Sequence, residues 1–577
     1  MDEILKPFHL LTLQSKHVTN IQDLPVDILF QIFSELDVDH LLALRRTCRT
    51  IEAATRDRSV WHSALSAHFL QRGLPIPGLH HDHDKEEETI LKLTASELER
   101  LVVRAHRFWT NWTSAQPTSF SHVHLVPTRR LWSNTGSRNL SVEFLRGWSG
   151  RYLMTLTLFD SSTDRENRRY SFECWDLSLQ QPKPIAELLV AGLLGYAIND
   201  VPGSTHVLAV TRRESRTNQL ITTIYTIDFT TPGVDPWFRR TSEFNSFRTM
   251  LGLHGSRLIV TDTDQEVRIM DVDSGRLSYS LTVPIIHADT TLRLPEHHCL
   301  EYEFVDSFVL TFCKQWIFLY HLPSSDVASR ALAAATESEP LRIEPIAKYK
   351  WRWRIDTLSI SPRRHPAGPS SGPPNIDILM RFDTWYPWPV NLLHHFTLPV
   401  NPAFSHSTFD PTEPSTFPYL ASPTDSPFIV HQLASPVRLF TPSDMVLAPY
   451  GTALWLDAST DPTTLSQAGD HGQRIASKVL TLMPLPKPRA GLDSSQDDHV
   501  SPGLGSGGMD PELASAIALE SDSQTARAGE AGRHVSVLHV QETHELWSRL
   551  AVNEEEGQVA VGYVDGRVSV YSYAPPA

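Results

Sequence analysis

From about Phe120 onward the apolar residues recur with a period of two, and this alternation persists through most of the 577-residue chain. Runs such as NLSVEFL, RYLMTLTLF, THVLAVT, LITTIYTIDF, FVLTFC and WIFLYHL are rich in β-branched and aromatic residues and are bounded by Gly, Pro, Asp, Asn or Ser. Counting such runs predicts roughly 25 to 30 strands. Strands so short and numerous, with no helices between them, close into a large sandwich, barrel or propeller. Helical periodicity is confined to the N-terminal part, so the expected fold class is α+β and multidomain, with short helices followed by a mostly antiparallel all-β domain.

Two segments share a plan that bears on the choice. Arg257 to Leu281 reads as a strand, an acidic turn, a strand closing on Met270-Asp271, the Ser274-Gly275 turn and another strand. Arg549 to Tyr573 repeats this with Gly557, Asp565-Gly566 and Tyr571, and Arg169 to Leu179 adds a Cys174-Trp175-Asp176 strand end. These segments resemble WD-repeat propeller blades in degenerate form, lacking most of that family's Gly-His pairs and Trp-Asp ends. At four strands per blade, roughly 28 strands give about seven blades. The alternative is an irregular pair of β-sandwiches. Ring closure would pair Phe120 to Trp132, which has no blade partner before it, with the C-terminal strands Gln558 to Gly562 and Arg567 to Tyr573.

Three stretches interrupt the strands. The prolines of 361–375 and 402–427 are incompatible with a ladder. The stretch 488–533 is rich in Gly, Ser, Asp and Ala with almost no aromatics, and predicts a disordered blade insertion with a brief helix after Asp510-Pro511.

The N-terminal stretch Asp23 to Trp61 carries the helices. Leu24-Pro25 opens one, since proline suits a first helical turn, and Ile28, Leu29, Ile32, Phe33 and Leu36 form its apolar stripe. Asp39 and Thr47 read as caps of two further short helices, and a fourth starts near Asp57 or Ser59 and ends at Gly73. A unit of about fifty residues encloses too little core to bury all this apolar surface, so some of it faces a partner. The stretch resembles the F-box, the adaptor-binding module of cullin-based ubiquitin ligases. The residues that carry the likeness are Leu24-Pro25, Asp27, Ile28-Leu29, Ile32-Phe33, Leu36, Asp39, Leu41-Leu42, Leu44, Cys48-Arg49 and Trp61. Ile51 departs from it, standing where the family often has Trp. The resemblance implies adaptor-facing or supporting roles for Leu24, Pro25, Ile28, Ile32, Leu36, Leu41, Leu44 and Cys48.

Downstream, LPIPGLHHDHDKEEET reads as a solvated loop. Its His80, His81, Asp82, His83 and Asp84 are metal-ligand types without the spacing of a closed site. Thr94 to Glu97 is a capping box opening a helix with Leu98, Leu101, Val102, Ala105, Phe108 and Trp112 on one face. The expected organisation is a tail over 1–20, F-box helices over 21–73, a loop over 74–93, a linking helix over 94–112 and a propeller over 120–577.

Sixty-six acidic against 51 basic residues give a net charge of −15, which argues against a nucleic-acid or anionic-membrane surface. Cys48, Cys174, Cys299 and Cys313 are too scattered for a disulfide framework or a CxxC metal site, which suggests a reducing interior. The acidic N-terminus and the lack of long apolar runs predict a soluble intracellular chain, cytoplasmic or nuclear. No P-loop, HExxH or GxSxG motif is present. Glu296-His297-His298-Cys299 reads as a loop or edge, and Trp351, Trp353, Trp385 and Trp388 as blade packing.

No cofactor, metal or catalytic set is expected. The resemblance implies a non-catalytic substrate receptor of an SCF-type ubiquitin ligase, holding a Skp-family adaptor, through it a cullin, and a target protein on the propeller. The alternative is a propeller enzyme, small-molecule binder or scaffold whose F-box controls only turnover or location. Converging carboxylates and histidines at the channel would favour that alternative, and a broad face with exposed aromatics and Arg would favour a protein target.

Overall fold

The computed structural model describes Ile21 and the chain from 24 to 576, apart from 80–82, 129–136, 161–167, 230–235, 285–297, 324–339, 365–371, 383–389, 421–426, 437–443, 459–472, 481–534, 542–545 and isolated loop residues. The expected tail over 1–20 and the insertion over 488–533, with its brief helix, lie outside the described residues.

Four short helices come first: α1 (Val26–Ser34), α2 (Val38–Arg45), α3 (Arg49–Ala54) and α4 (Arg58–Leu65), the last continuing into a π turn at Ser66–Leu70. Asp37, not Asp39, caps α2: its extended backbone lets the carboxylate accept from His40 N, while Asp39 lies inside the first turn. Cys48 takes the N-cap position of α3, and the Thr47 hydroxyl turns back to Leu44 O instead. Asp57 caps α4 through Ser59 N.

The stretch 74–93 is not a plain loop. Its second half is a helix, α5 (His83–Lys92), and Ile76, Leu79 and Ile90 are buried in the module's core. The apolar residues of LPIPGL give the segment something to bury. Arg58 then satisfies the open C-terminal end of α5, donating to Ile90 O at 2.9 Å and Leu93 O at 3.0 Å. The long helix α6 (Ala95–Trp112) starts at the Thr94/Glu97 capping box and inserts Leu98, Val102 and Ala105 into the same core.

The β region is seven sheets. In chain order they are blade 1 (138–191), blade 2 (193–246), blade 3 (249–282), blade 4 (299–350), blade 5 (355–436), blade 6 (445–541) and blade 7 (547–572). Each runs antiparallel from an inner strand outwards, giving a seven-bladed propeller. Blade 7 holds three C-terminal strands, and its fourth is Ser121–Leu125, which pairs with Val568–Ser572 from Ser121↔Ser572 to Leu125↔Val568. The ring is therefore closed by the two ends of the β region. Blade 3 gains a fifth strand when Leu341–Ile343, from the last connection of blade 4, adds in parallel to Leu277–Thr282.

The middle strands explain why FVLTFC and WIFLYHL read as continuous apolar runs. All six residues of Phe308–Cys313 are buried. Leu310, Phe312 and Ile317 pack against Ile378 and Met380 of blade 5, and Val309, Phe318 and Tyr320 against Ile259 and Ile269 of blade 3. Within 402–427 the prolines do exclude a ladder in the described part, most of which is exposed, but its end at 417–420 is packed. Phe417 and Tyr419 are 2 % and 0 % exposed, and Asn401 ties the turn by donating to Ser415 O and Phe417 O, both at 2.8 Å. Trp351 is buried against Phe396; Trp353, Trp385, Trp388 and the Glu296-His297 pair lie outside the described residues.

Candidate docking face and channel

In α1, residues 29 and 33 fall one turn apart on the inner side, so Leu29 and Phe33 are each 1 % exposed. Pro25 and Ile28 lie on another side, and Val26 and Ile28 stand 53 % and 42 % exposed. Ile21, also exposed, accepts from Leu24 N and turns the chain into this face. The other positions implied by the resemblance grade inwards: Leu24, Ile32, Leu36, Leu44 and Cys48 are half-buried and Leu41 is in the core. Five of the eight are therefore partly exposed and Leu41 is core, while Pro25 and Ile28 are exposed together with Val26 and Ile21, which the sequence reading did not select. Ile51 fits the core at 1 % exposure, because Trp61 fills the space beside it and donates to Thr55 O. Arg45 lies over the Trp61 ring and pairs with Glu99, tying α2 to α6.

α6 fixes this module to blades 6 and 7. Trp112 Nε1 donates to Thr452 Oγ1 at 2.9 Å, Thr452 in turn bonds the Glu554 carboxylate, and Tyr450 N donates to the same carboxylate at 2.9 Å. On the same turn of blade 7, Glu556 accepts from Gly78 N at 3.1 Å and faces Arg104. Burial pushes both glutamates up to about 7. Gly557, at φ +64°, sits where a Cβ would strike the Phe108 ring.

The inner strands bring a second set of groups together. Glu143 of blade 1, Glu301 and Glu303 of blade 4 and Asp444 before the inner strand of blade 6 interact electrostatically. Residues on blades so far apart around the ring meet only near its axis, so these groups line the channel. Burial pushes Glu301 up to about 7, with Asp200 and Glu143 adding to the shift, and Glu303 up to about 8 against the opposing pull of Arg146. Asp200 accepts from Tyr302 Oη at 3.1 Å and pairs with His254 at 2.8 Å. Sequence reasoning missed this set. Its available signal was acid inside otherwise apolar strands, as in SVEF and EYEF.

Between the module and the propeller lies a cleft of about 1360 Å³ that reaches this channel mouth, lined by His62 and Leu91 on one side and Glu143, Arg146 and Arg364 on the other. Among the described residues no group of three or more His, Cys, Asp and Glu is arranged to hold a metal ion, and no helix is long and apolar enough to cross a membrane.

Residues 21–65 match the family described as F-box-like. The N-terminal helices are thus an F-box-like domain, followed by a seven-bladed β-propeller. No curated protein matches the chain. Among solved structures it is similar to the β-propeller domain of Myceliophteria thermophila Cps50 (Swd1), at 10% identity and a TM-score of 0.37, over 78% of this chain and 99% of that one. The propeller assignment rests on the seven sheets themselves.

Proposed function

We propose that this protein is the substrate-recognition subunit of an SCF-type cullin ubiquitin ligase. The Skp-family adaptor docks on the face built from Ile21, Pro25, Val26 and Ile28, supported by Leu24, Ile32, Leu36, Leu41, Leu44 and Cys48, and links the chain to a cullin. The propeller holds the target protein. The observation that carries this reading is an F-box-like helix with one apolar side buried and another left in solvent. Apolar side chains yield about 1.5–3 kcal/mol each on burial, so a few of them suffice for a specific dock. The module covers the propeller face that carries the 448–451 and 553–557 turns, which leaves the opposite face for the target. The chain itself performs no covalent step; it raises the effective concentration of target near the ligase by tethering.

The test is copurification with a Skp-family adaptor. Leu24→Ala with Pro25→Ala is expected to weaken it while leaving the β domain's thermal transition unchanged; undiminished copurification refutes the assignment. One observation favours the second reading, a propeller that binds a small molecule or acts on it: carboxylates of raised pKa converge in the channel beside a histidine-paired aspartate. Glu301→Gln with Glu303→Gln separates the two, since a pure receptor retains target capture.

A further inference from the structure

Cys299 opens the inner strand of blade 4 and Cys313 closes the strand beside it. The register sets them Cα to Cα across the antiparallel pair. Such pairs stand about 4.5–5.5 Å apart at Cα, inside the ~4.4–6.8 Å that a disulfide spans. Both thiols are free, and they are 4 % and 0 % exposed. Cys174, by contrast, faces Met154 and Ala186 across its strands and has no sulfur of another cysteine opposite it.

The Cys313 sulfur hydrogen-bonded beside it, and then burial, hold the Cys299 thiol well above its usual range. Cys299 is therefore protonated and slow to react at neutral pH. It also sits at the end of its ladder. The register slips between Cys299 and Glu301, and beyond the pair the Lys314 N to His298 O bond, 3.1 Å, holds the end. End pairs of this kind open ahead of the strand body.

We infer that Cys299 and Cys313 are a latent oxidation site, converted by a peroxide into a cross-strand disulfide that staples the channel-lining strand of blade 4 to its neighbour. One thiolate attacks the peroxide O–O bond, takes an OH as sulfenic acid and releases hydroxide, which leaves as water. The second sulfur then displaces that OH as another water and forms the S–S bond. Two thiol protons and two electrons pass to one peroxide, giving two waters. Because this strand carries Glu301 and Glu303, oxidation stiffens the acidic wall of the channel.

The test exposes the full native chain to hydrogen peroxide, alkylates in denaturant and maps the peptides by mass spectrometry. The expected result is a Cys299–Cys313 linked peptide, loss of two alkylatable thiols that dithiothreitol restores, and a melting transition raised by a few degrees. Cys313→Ala abolishes the link and the rise, and Cys299→Ala does the same should the first variant fold poorly. Full alkylation of both cysteines after an exposure that oxidises the half-buried Cys48, or an equal rise in either variant, overturns the inference.

Discussion

Around α1, Leu29 and Phe33 are 1 % exposed while Val26 and Ile28, within the same helix, stand at 53 % and 42 %. In blade 4 the arrangement is reversed: every residue of Phe308–Cys313 is buried, and the acidic Glu301 and Glu303 lie on the neighbouring strand at the ring axis. In the propeller, ring closure gives each sheet two apolar neighbours and pairs the strand that the N-terminal side would otherwise leave open, although Leu189, Leu194 and Trp237 remain exposed. In the helical module the core relies on α6, and Ile21, Val26 and Ile28 remain exposed on a much smaller unit. On the proposed reading, the exposed apolar side of the small unit serves recognition by packing, and the larger unit recognition by charge and shape.

The most severe way to break this contrast is to reopen the ring. Deleting 549–577 removes two strands of blade 7 and most of a third and leaves Ser121–Leu125 without its partner. The whole β region is expected to aggregate or lose cooperative unfolding, seen by calorimetry and size exclusion. A soluble truncation with an unchanged transition refutes closure as the source of the propeller's completeness. Next in size is the joint. Trp112→Ala empties a site 2 % exposed and removes the donor to Thr452, at a cost of about 3–5 kcal/mol. Denaturant unfolding is expected to split into a module transition and a propeller transition; a single unshifted transition shows that the two regions are held together elsewhere.

How far the sequence alone revealed this contrast depended on the range of the interactions involved. The helix start at Leu24-Pro25, the capping box at Thr94 and the turn at Gly275 rest on contacts within a few residues, and each is where local chemistry puts it. The pairing of Phe120 to Trp132 with the C-terminal strands followed from a different argument, the cost of an open edge, and the structure places it at Ser121–Leu125. What stayed hidden depended on long-range partners. Nothing near His83 shows that Arg58 will close that helix, and nothing near Thr452 shows that Trp112 and Glu554 meet there. Glu143, Glu301 and Glu303 stand out only as acid within apolar strands; the curvature of the ring is what brings them to one axis.

The inner and outer sides of α1 and α2 sharpen the comparison further. Leu41→Ala, at a core position, is expected to cost the module about 2–5 kcal/mol, visible as a lower module transition. Ile28→Asp leaves that transition in place but weakens adaptor binding by roughly 10- to 100-fold, the equivalent of losing one buried aliphatic side chain. Titration calorimetry with the Skp-family adaptor reads the second effect. If Ile28→Asp lowers stability as Leu41→Ala does, the outer side is core and the docking face lies elsewhere.

The smallest effect probes the charge side of the contrast. Glu303 has a pKa raised from 4.5 to about 8, first by burial and then by Asp200 and Glu301, with Arg146 opposing. In that interval the folded chain binds more protons than the unfolded one, so this contribution to stability is complete below about pH 4.3 and is lost as pH rises through the folded value. Glu301, raised to about 7, has the same sign. Stability should therefore decline between pH 5 and pH 8.5 with a component that Glu303→Gln removes. The variant is expected to match the parent near pH 5 and to exceed it by on the order of 1–2 kcal/mol near pH 9, where the parent must keep a desolvated carboxylate charged. Denaturant midpoints across that pH range measure it. A variant less stable than the parent at every pH would mean that the Glu303 carboxylate is held by favourable contacts, and the channel would then resemble the module's joint, where buried glutamates are tied by specific donors.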